Sequence, residues 1–444
     1  MSSEWQKIKI DEIGDVKSGK RLPLGYSLVE YKTPFPYIRL VDIDNGRVQK
    51  GNLQYLTPET REHIKRYVVN TGDVCLAIVG NTIGVVFYIE SDLNDINLTE
   101  NAARITSFKS FVNSKYIYYY LTSPIGQASI QARKVGSAQG KLPLYNIKSL
   151  EIEIPSRETQ DTIVELLEAL DDRITLIRET NATLEAIAQA LFKSWFVDFD
   201  PVHANAAFLE DGEAPSLPAE IQALFPSRLV ESPQGLIPEG WEVCAVEDVI
   251  ETVGGATPNT KNDEFWNPPE VCWTSPKDLS GANTPVLLDT ERKISKQGLA
   301  KISSGLLPKG TLIMSSRAPI GYLAIAQIPL AINQGYIAMP PGGKLPPLFM
   351  LYWCRQNMEV IKNRANGSTF MEISKKAFRP IEIVLPIACV IDAFMEIAAP
   401  LFERLVGNEK QISSLSELRD TLLPRLISGQ LRLPEAEAAL AEVI

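Results

Sequence analysis

Residues 158–196 read ETQDTIVELLEALDDRITLIRETNATLEAIAQALFKSWF, and this stretch decides the fold. Its seam residues recur at alternating steps of four and three, the heptad spacing of a helix that packs against another helix. Pro and Gly are absent, and charged residues fill the remaining positions as on a solvated helix face. A helix of this length extends about 55–60 Å and needs a partner helix. The seam residues are Ile163, Leu167, Leu170, Ile174, Ile177, Asn181, Leu184, Ala188, Leu191 and Trp195.

A second stretch near the C-terminus, from Phe394 to Leu426, carries a similar seam and is the expected partner. Matching Asn181 of the first seam with Asn408 of the second predicts an intramolecular helix pair, because a buried Asn fixes helix register when it meets another polar group. Pro400 is expected to kink the second helix or to mark its start. Arg419 also falls on this seam. The alternative is two separate amphipathic helices.

Composition indicates an ordinary soluble protein of two or three domains, with 444 residues and five scattered Cys. No apolar run is long enough for a membrane span, and residues 1–7 lack the apolar core of a signal peptide. Without any Cys-x-x-Cys spacing, the thiols are expected to be reduced and mostly buried. These features predict a cytoplasmic location and no membrane partner.

The net charge of −10 is unevenly distributed along the chain. Residues 1–154 carry +3 and residues 241–387 carry +2, whereas residues 155–240 carry −11 and residues 388–444 carry −4. The acidic charge therefore lies on the helical stretches and the linker. This distribution permits the two mildly basic blocks to bind a polyanion and makes the helices poor candidates for it.

The two basic blocks are related by an internal repeat. Trp5 matches Trp241, the segment 152–155 matches 383–386, and the segment 101–103 is matched with 333–335. Short apolar strands separated by Gly, Pro and Asn predict an α+β fold with a loop-rich sheet in each block. Between the blocks, residues 200–239 are rich in Pro and acidic residues and are predicted to be a linker, with one short helix expected around Ala219 to Leu224.

Residues suited to catalysis are few. His63 and His203 lack metal-ligand spacing, and no P-loop, Gly-x-Gly-x-x-Gly or Gly-x-Ser-x-Gly occurs. Asn267-Pro268-Pro269 resembles the start of an amino-methyltransferase motif, but Glu270 stands where that motif needs an aromatic residue to stack on a flipped base. We therefore interpret this segment as a turn and expect no bound metal.

The chain resembles the specificity subunit of type I restriction–modification systems. The resemblance is carried by the segments 191–202 and 418–429, which are similar to the family's central and distal conserved segments. In the second block, the segments 255–258, 273–278 and 315–321 resemble common motifs of its target-recognition domains. The first block matches less closely, with Ser18–Pro23 and Gly80–Gly84 at the corresponding places.

This resemblance implies an α+β fold: two loop-rich α/β target-recognition domains in tandem, separated and joined by two long helices that pair as an antiparallel coiled coil. The implied divisions are recognition domain 1 (1–154), central helix (155–199), linker (200–239), recognition domain 2 (240–387), distal helix (388–430) and tail (431–444).

Each recognition domain would read one half of a bipartite asymmetric site in double-stranded DNA. The helix pair would set the spacer and dock two modification (methyltransferase) subunits, which restriction subunits join. S-adenosylmethionine and ATP would belong to those partners, so the chain itself would bind no cofactor and catalyse nothing. Two alternatives stay open: a fused restriction–methylation enzyme, and a coiled-coil scaffold without a DNA role.

Candidate DNA-contacting residues are polar or basic side chains on expected loops, because such groups match the donor and acceptor pattern of base edges. They are Lys20, Arg21, Asn81, Lys134, Gln139, Lys141, Thr257, Asn259, Lys261, Lys277, Arg317, Gln334, Arg364, Ser368 and Lys375. For each of them, a plain solvated loop residue is the alternative. Phe192, Trp195, Phe196 and Phe199 are candidates for docking a partner subunit, with core packing at the helix junction as the alternative.

Overall fold

The computed structural model describes residues 5–136, 140–211, 217–367, 371–431 and 433–436. Its contacts divide the chain into two compact units. The first unit comprises residues 1–175 and 414–444, and the second comprises residues 176–413. The boundaries between the units fall inside both long helices. The sequence-based division had instead placed each long helix outside the two blocks.

The first unit is built from twelve short strands and five short helices among its described residues. The strands are β1 (Gln6–Lys9), β2 (Asp15–Ser18), β3 (Pro36–Ile38), β4 (Ile43–Asp44), β5 (Arg47–Val48), β6 (Gln54–Tyr55), β7 (Val68–Val69), β8 (Val74–Ala77), β9 (Val86–Tyr88), β10 (Ile96–Leu98), β11 (Ala102–Thr106) and β12 (Glu151–Ile154). The helices are α1 (Ile10–Ile13), α2 (Pro58–Ile64), α3 (Ser114–Thr122), α4 (Pro124–Ala132) and α5 (Leu144–Lys148).

The long helix α6 (Arg157–Phe196) follows and continues into the second unit. The later helices are α7 (Asp200–Asp211), α8 (Ala219–Gln222), α9 (Val246–Val249), α10 (Lys296–Leu299), α11 (Pro347–Gln356), α12 (Met358–Asn363), α13 (Lys375–Phe378) and the second long helix α14 (Ala388–Ile427). The later strands are β13 (Leu229–Ser232), β14 (Gly235–Pro238), β15 (Glu242–Ala245), β16 (Val253–Gly254), β17 (Val271–Thr274), β18 (Val286–Leu287), β19 (Arg292–Ile294), β20 (Leu312–Ser315), β21 (Leu323–Ala326), β22 (Ala331–Ile332), β23 (Tyr336–Met339) and β24 (Glu382–Leu385).

The two units share one sheet plan. A four-stranded sheet β2-β11-β8-β9 in the first unit corresponds to β16-β23-β20-β21 in the second, where β18 adds a fifth strand. Smaller sheets correspond in the same way, with β6-β3-β10 matching β19-β17-β22 and the pair β1-β12 matching β15-β24. Two strands of the central sheets, β8 and β20, are buried at every residue, so the loops that follow them project from a rigid support.

Both long helices bury the seam that the heptad spacing predicts. Ile163, Leu167 and Leu170 are buried in the first unit, and Ile177 and Ala188 in the second. Pro400 neither starts nor ends α14, which is helical from Ala388 to Ile427, so that expectation of a start is wrong. Twelve helical residues precede it, and α14 is thus as long as α6, with 40 residues each.

Polar contacts join the long helices in both units. In the second unit, the Asn408 amide donates to the Asn181 side-chain oxygen at 2.7 Å, and both residues are buried. The Asn181 amide donates in turn to Glu409 at 2.7 Å. In the first unit, Arg419 donates to Asp171 at 2.8 Å. Burial alone would lower the pKa of Arg419, but the hydrogen bond and charge of Asp171 more than offset it, so the pKa is raised.

The two helices run antiparallel within the second unit, because Asn181 meets Asn408 whereas Phe192, further along α6, meets Phe394. The two Asn do not occupy equivalent positions of the two seams, so the sequence-based match between them is wrong as a repeat relation. At the offset that aligns Phe394 with Ile163, Asn408 coincides with Ile177. Antiparallel pairing, not equivalent repeat position, brings Asn408 opposite Asn181.

Residues 200–239 are not an extended linker over their described part. They form the helices α7 and α8 and the hairpin β13-β14. Phe225 and Ile237 are buried in the same core cluster as Trp195. Pro201 lies in the first turn of α7 and Pro218 caps the start of α8, so a composition typical of linkers belongs here to a packed segment.

The five thiols are free, but only Cys75 and Cys354 are buried, while Cys389 is exposed. The expectation that most are buried therefore fails. Among the described helices, none combines the length and the hydropathy needed to cross a membrane.

Candidate nucleic-acid interface

In the first unit, two loops meet beyond the end of β8. The Gly80 N–H donates to the Gly140 carbonyl at 2.8 Å, and the Leu142 N–H donates to the Ile78 carbonyl at 2.9 Å. Lys141 pairs with both Val79 and Val135 through isolated β-bridges. This arrangement brings together three of the predicted contacts, Asn81, Lys134 and Lys141, all of which are exposed.

A second pair of predicted contacts adjoins these loops. The Ile78 N–H donates to the carbonyl of Asn101 at 2.9 Å, so Glu100 lies beside the loop that carries Asn81. The Arg21 guanidinium lies 3.3 Å from the Glu100 carboxylate. Lys20 is fixed through its backbone carbonyl, which accepts a hydrogen bond from the Tyr37 hydroxyl at 3.0 Å.

The second unit repeats this set of backbone hydrogen bonds and β-bridges, here called the frame, at the end of β20. The Ser316 N–H donates to the Gly335 carbonyl at 2.8 Å, and the Ile373 N–H donates to the Ser316 carbonyl at 3.0 Å. Glu372 pairs with both Arg317 and Asn366 through isolated bridges, as Lys141 does with Val79 and Val135. The hydrogen-bond pattern therefore makes Glu372 equivalent to Lys141, and Arg317 equivalent to Val79.

Arg317 and Glu372 edge a cavity of about 510 Å³ with a largely apolar lining. Their charged groups lie 3.7 Å apart, and both side chains are partly exposed. The other lining residues are Ala318, Pro319, Ile320, Lys362 and Met371. An ion pair at the rim of an apolar concavity offers both a donor and an acceptor to a ligand that enters it.

Thr257 and Gln334 form the counterpart of Arg21 and Glu100. The Thr257 hydroxyl donates to the Gln334 side-chain oxygen at 2.6 Å. The Ala256 N–H bonds to the Ile332 carbonyl as Lys20 N–H bonds to Leu98. A salt bridge of the first unit is thus replaced by a neutral hydrogen bond in the second.

The remaining predicted contacts of the second unit occupy separate places. Lys375 lies against Gly254, and Arg364 follows α12 as an exposed residue. Asn259 and Lys261 share a turn in which the Lys261 N–H donates to the Asn259 side chain at 3.0 Å. Lys277 donates to Glu291 at 2.8 Å, and this hydrogen bond raises the pKa of Lys277. Gln139 and Ser368 lie outside the described residues; of the other candidates, none is buried.

Comparisons with known proteins match this duplicated frame. A family model for the type I restriction modification DNA specificity domain matches residues 2–186 and, a second time, residues 238–392. The chain belongs to this family. It is a DNA sequence-specificity subunit of the type I restriction–modification class.

The curated relatives extend the match over most of the chain. The HindI specificity subunit of Haemophilus influenzae is 28% identical over 440 residues, covering 89% of this chain and 94% of the relative. The MjaIX specificity subunit of Methanocaldococcus jannaschii is 35% identical over 191 residues, covering 42% of this chain and 43% of the relative. The crystal structure of an S subunit from M. genitalium has the same fold, with a TM-score of 0.54, 18% identity and 96% of each chain covered.

Two of the aromatic residues proposed to dock a partner of this specificity subunit are instead part of its core. Phe192 and Trp195 are 3% and 1% exposed. The Phe192 ring lies 5.1 Å from Phe349, and the Trp195 ring lies 5.1 Å from Phe225. Their burial leaves no surface for another chain, so the docking prediction is wrong for both.

Phe196 and Phe199 are half-buried, and both pack against Trp241, with ring centres 5.9 and 5.7 Å away. They also line a cavity of about 360 Å³ together with Leu236 and Trp353. Docking through these two residues stays a prediction.

Sequence reasoning missed three polar residues of the interface. Glu100 and Glu372 were not among the candidates, yet each contacts a predicted cationic residue, Arg21 or Arg317. Arg292 was missed because it lies in a strand, β19, and not in an obvious loop. The signal available in the sequence was the alternation of side chains along a strand, which places Arg292 on the face opposite to that of its neighbour Lys293.

The segment that resembles a methyltransferase motif is engaged in local contacts. The Asn267 amide donates to the Asp263 side chain, and Glu270 lies 3.5 Å from Lys296. Asn267 thus uses its side chain to hold the turn that the sequence predicted.

Proposed function

We propose that each unit of this specificity subunit reads one half of a bipartite asymmetric site in double-stranded DNA. The observation that carries the proposal is the shared backbone frame with exchanged side chains. In the first unit, Arg21 and Glu100 occupy the positions that Thr257 and Gln334 occupy in the second. Likewise, Lys141 of the first unit is equivalent to Glu372 of the second. Two similar frames with different hydrogen-bonding groups are what the reading of two different sequences requires.

The long helices are proposed to fix the spacer between the half-sites. Their antiparallel pairing in the second unit, anchored by Asn181 and Asn408, supports a rigid connection. Half-sites read from one face of DNA lie about 34 Å or about 10 base pairs apart, a distance that two helices of 40 residues can bridge.

Inserting four residues into each helix beside Asn181 and Asn408 tests this part. Each helix would lengthen by about 6 Å, so the methylated sites should gain a spacer of one or two base pairs with unchanged half-sites, since B-DNA rises about 3.4 Å per pair. Some stability should be lost, because four residues break the heptad phase. An unchanged spacer at full activity would show that the helices do not set the distance.

The chain is proposed to be non-catalytic and cytoplasmic, and to act with two modification subunits that restriction subunits join. S-adenosylmethionine and ATP would bind to those partners. Support comes from the relatives, which are specificity subunits of type I restriction enzymes. Methyl transfer, or S-adenosylmethionine binding, by the purified chain alone would favour the fused enzyme instead.

Methylome sequencing tests the central proposal. Cells that contain the modification subunits should show one bipartite methylated sequence only when this chain is also expressed. The control is a variant in which Arg21 and Thr257, one exposed candidate contact from each unit, are both replaced by Ala. It keeps the fold and changes only the side chains proposed to contact DNA. A methylome that is the same with and without the chain would overturn the DNA-reading proposal and favour a scaffold.

A further inference from the structure

Arg292 lies in β19, on the edge of the small sheet β19-β17-β22, directly opposite Trp273 of β17. Its guanidinium carbon lies 3.7 Å from the ring centre of Trp266 and 5.2 Å from that of Trp273. The two indoles are nearly perpendicular, at 85°, with centres 5.4 Å apart. The guanidinium is therefore stacked on one ring and held beside the other, which fixes the plane of a side chain that is otherwise flexible.

The same two indoles tie Arg292 to predicted DNA contacts. Trp273 donates to the Ala256 carbonyl at 3.1 Å, and Trp266 donates to the Asn259 carbonyl at 3.2 Å. These carbonyls flank Thr257, which contacts Gln334. Arg292 thus adjoins the segment 256–261 of the candidate interface.

The charges around Arg292 distinguish it from its neighbours. Three nearby Lys residues are each paired with a carboxylate, in the pairs Lys277–Glu291, Lys293–Asp289 and Lys296–Glu270. Within the described part of the chain, the Arg292 guanidinium has neither a salt bridge nor a hydrogen bond. A fixed, exposed cation whose donors are all free is suited to an acceptor outside the chain.

The equivalent residue of the first unit is Gln54, and its side chain is engaged in a hydrogen bond within the chain. Gln54 lies opposite Tyr37 as Arg292 lies opposite Trp273. The Gln54 side chain accepts a hydrogen bond from Arg39 at 2.6 Å, and Arg39 donates to Asp42 at 2.7 Å. At this position of the described sheets, a guanidinium without a polar partner occurs in the second unit and not in the first.

We propose that Arg292 reads a guanine in the half-site of the second unit through two parallel hydrogen bonds to O6 and N7. A planar guanidinium fits this pair of acceptors, and rigid stacking removes most of the entropy that a free Arg would lose. This inference rests on the proposed function, since it assigns one base contact to a unit that is proposed to bind one half-site of DNA.

The test compares Arg292→Lys with Lys293→Ala. Arg292→Lys keeps the charge but loses the planar pair of donors. Lys293 is the adjacent residue of β19, its side chain points to the opposite face, and it pairs with Asp289, so it is a matched control. Each variant is assembled with the modification subunits, and its affinity is measured for the methylome-defined site and for single base-pair substitutions in the second half-site.

Arg292→Lys should bind the correct site about tenfold more weakly and should no longer discriminate at one G·C pair, whereas Lys293→Ala should stay within about twofold. The melting temperature of Arg292→Lys should match the wild type. An equal loss at every DNA sequence would identify a phosphate contact, and no loss would identify a purely structural stack; either result overturns the proposal.

A second measurement leaves the protein unchanged and covers the case in which Arg292→Lys is unstable. DNA with 7-deazaguanine at each guanine of the second half-site, one at a time, lacks the N7 acceptor. The affinity of the wild-type protein should fall about tenfold when one particular guanine is replaced and should be unchanged for the others. Equal affinity at all of the guanines would overturn the inference, whereas wild-type DNA binding without any sequence preference would overturn the proposed function itself.

Discussion

The interface loops of the two units have the same backbone contacts but opposite side-chain chemistry. Lys141 of the first unit and Glu372 of the second each bridge two neighbouring segments through main-chain contacts. Neither bridge uses the side chain, so a cation can be exchanged for an anion without disturbing the frame. The comparison separates the main-chain contacts, which the two units share, from the side chains, which differ.

A second exchange has the same character. Arg21 and Glu100 form a salt bridge, whereas Thr257 and Gln334 form a neutral hydrogen bond. Exposed pairs of either kind add little stability, about 1 kcal/mol or less, so such positions can vary at low cost to folding. The helix contacts Asn181–Asn408 and Asp171–Arg419 are buried or partly buried and do not share this freedom.

The largest effect is expected from exchanging a whole frame. Replacing residues 1–154 with the corresponding block of a relative should replace one half-site completely and leave the other unchanged, because the loops of the second unit keep their own support. Methylome sequencing of cells that express the chimera gives the readout. If both half-sites change together, the two frames do not read DNA independently.

A smaller effect is expected from the buried amide pair in the helices. Asn181→Leu leaves the Asn408 amide without its buried acceptor and should lower the free energy of unfolding by about 3 kcal/mol. Denaturant unfolding measures the loss, with the exposed Thr180→Leu as the control, expected within about 0.5 kcal/mol.

The double variant Asn181→Leu with Asn408→Leu should recover the lost stability, because two apolar residues satisfy each other. The half-sites of any remaining methylation should be unchanged, since no interface loop is altered. A change of half-site sequence in these helix variants would contradict the separation between frame and reader.

The smallest effect is expected from single interface residues. Arg317→Ala should weaken binding by about 1–3 kcal/mol and relax one position of one half-site if the side chain contacts a base. Lys141→Ala is the comparison in the first unit, where an isolated exposed cation is expected to contact phosphate and to reduce the salt dependence by about one charge. Affinities on substituted sites at two salt concentrations distinguish these outcomes; a position-specific loss for Lys141→Ala would reverse the assignment.

The sequence by itself determined the two long helices, the repeat and the presence of two α+β blocks. Heptad spacing over 158–196 is a local signal, because each buried position follows from helix geometry alone. Asn181 and Asn408 could be identified from sequence as polar residues inside an apolar seam, whereas their pairing depends on the antiparallel arrangement of the two helices. Polar loop residues such as Arg317 and Lys141 were identifiable by residue type.

Only the tertiary structure decided which of these residues meet. The sequence matched 101–103 with 333–335, but the shared hydrogen bonds make Asn101 equivalent to Gly335, two residues further along. The segment 200–239 has the composition of a linker, yet Phe225 and Ile237 are buried with Trp195. Strand register and long-range packing depend on contacts between distant segments, and a single sequence carries no local signal for them. For the same physical reason the stack of Arg292 on Trp266, two residues separated in sequence by the strands β17 and β18, became visible only in the folded chain.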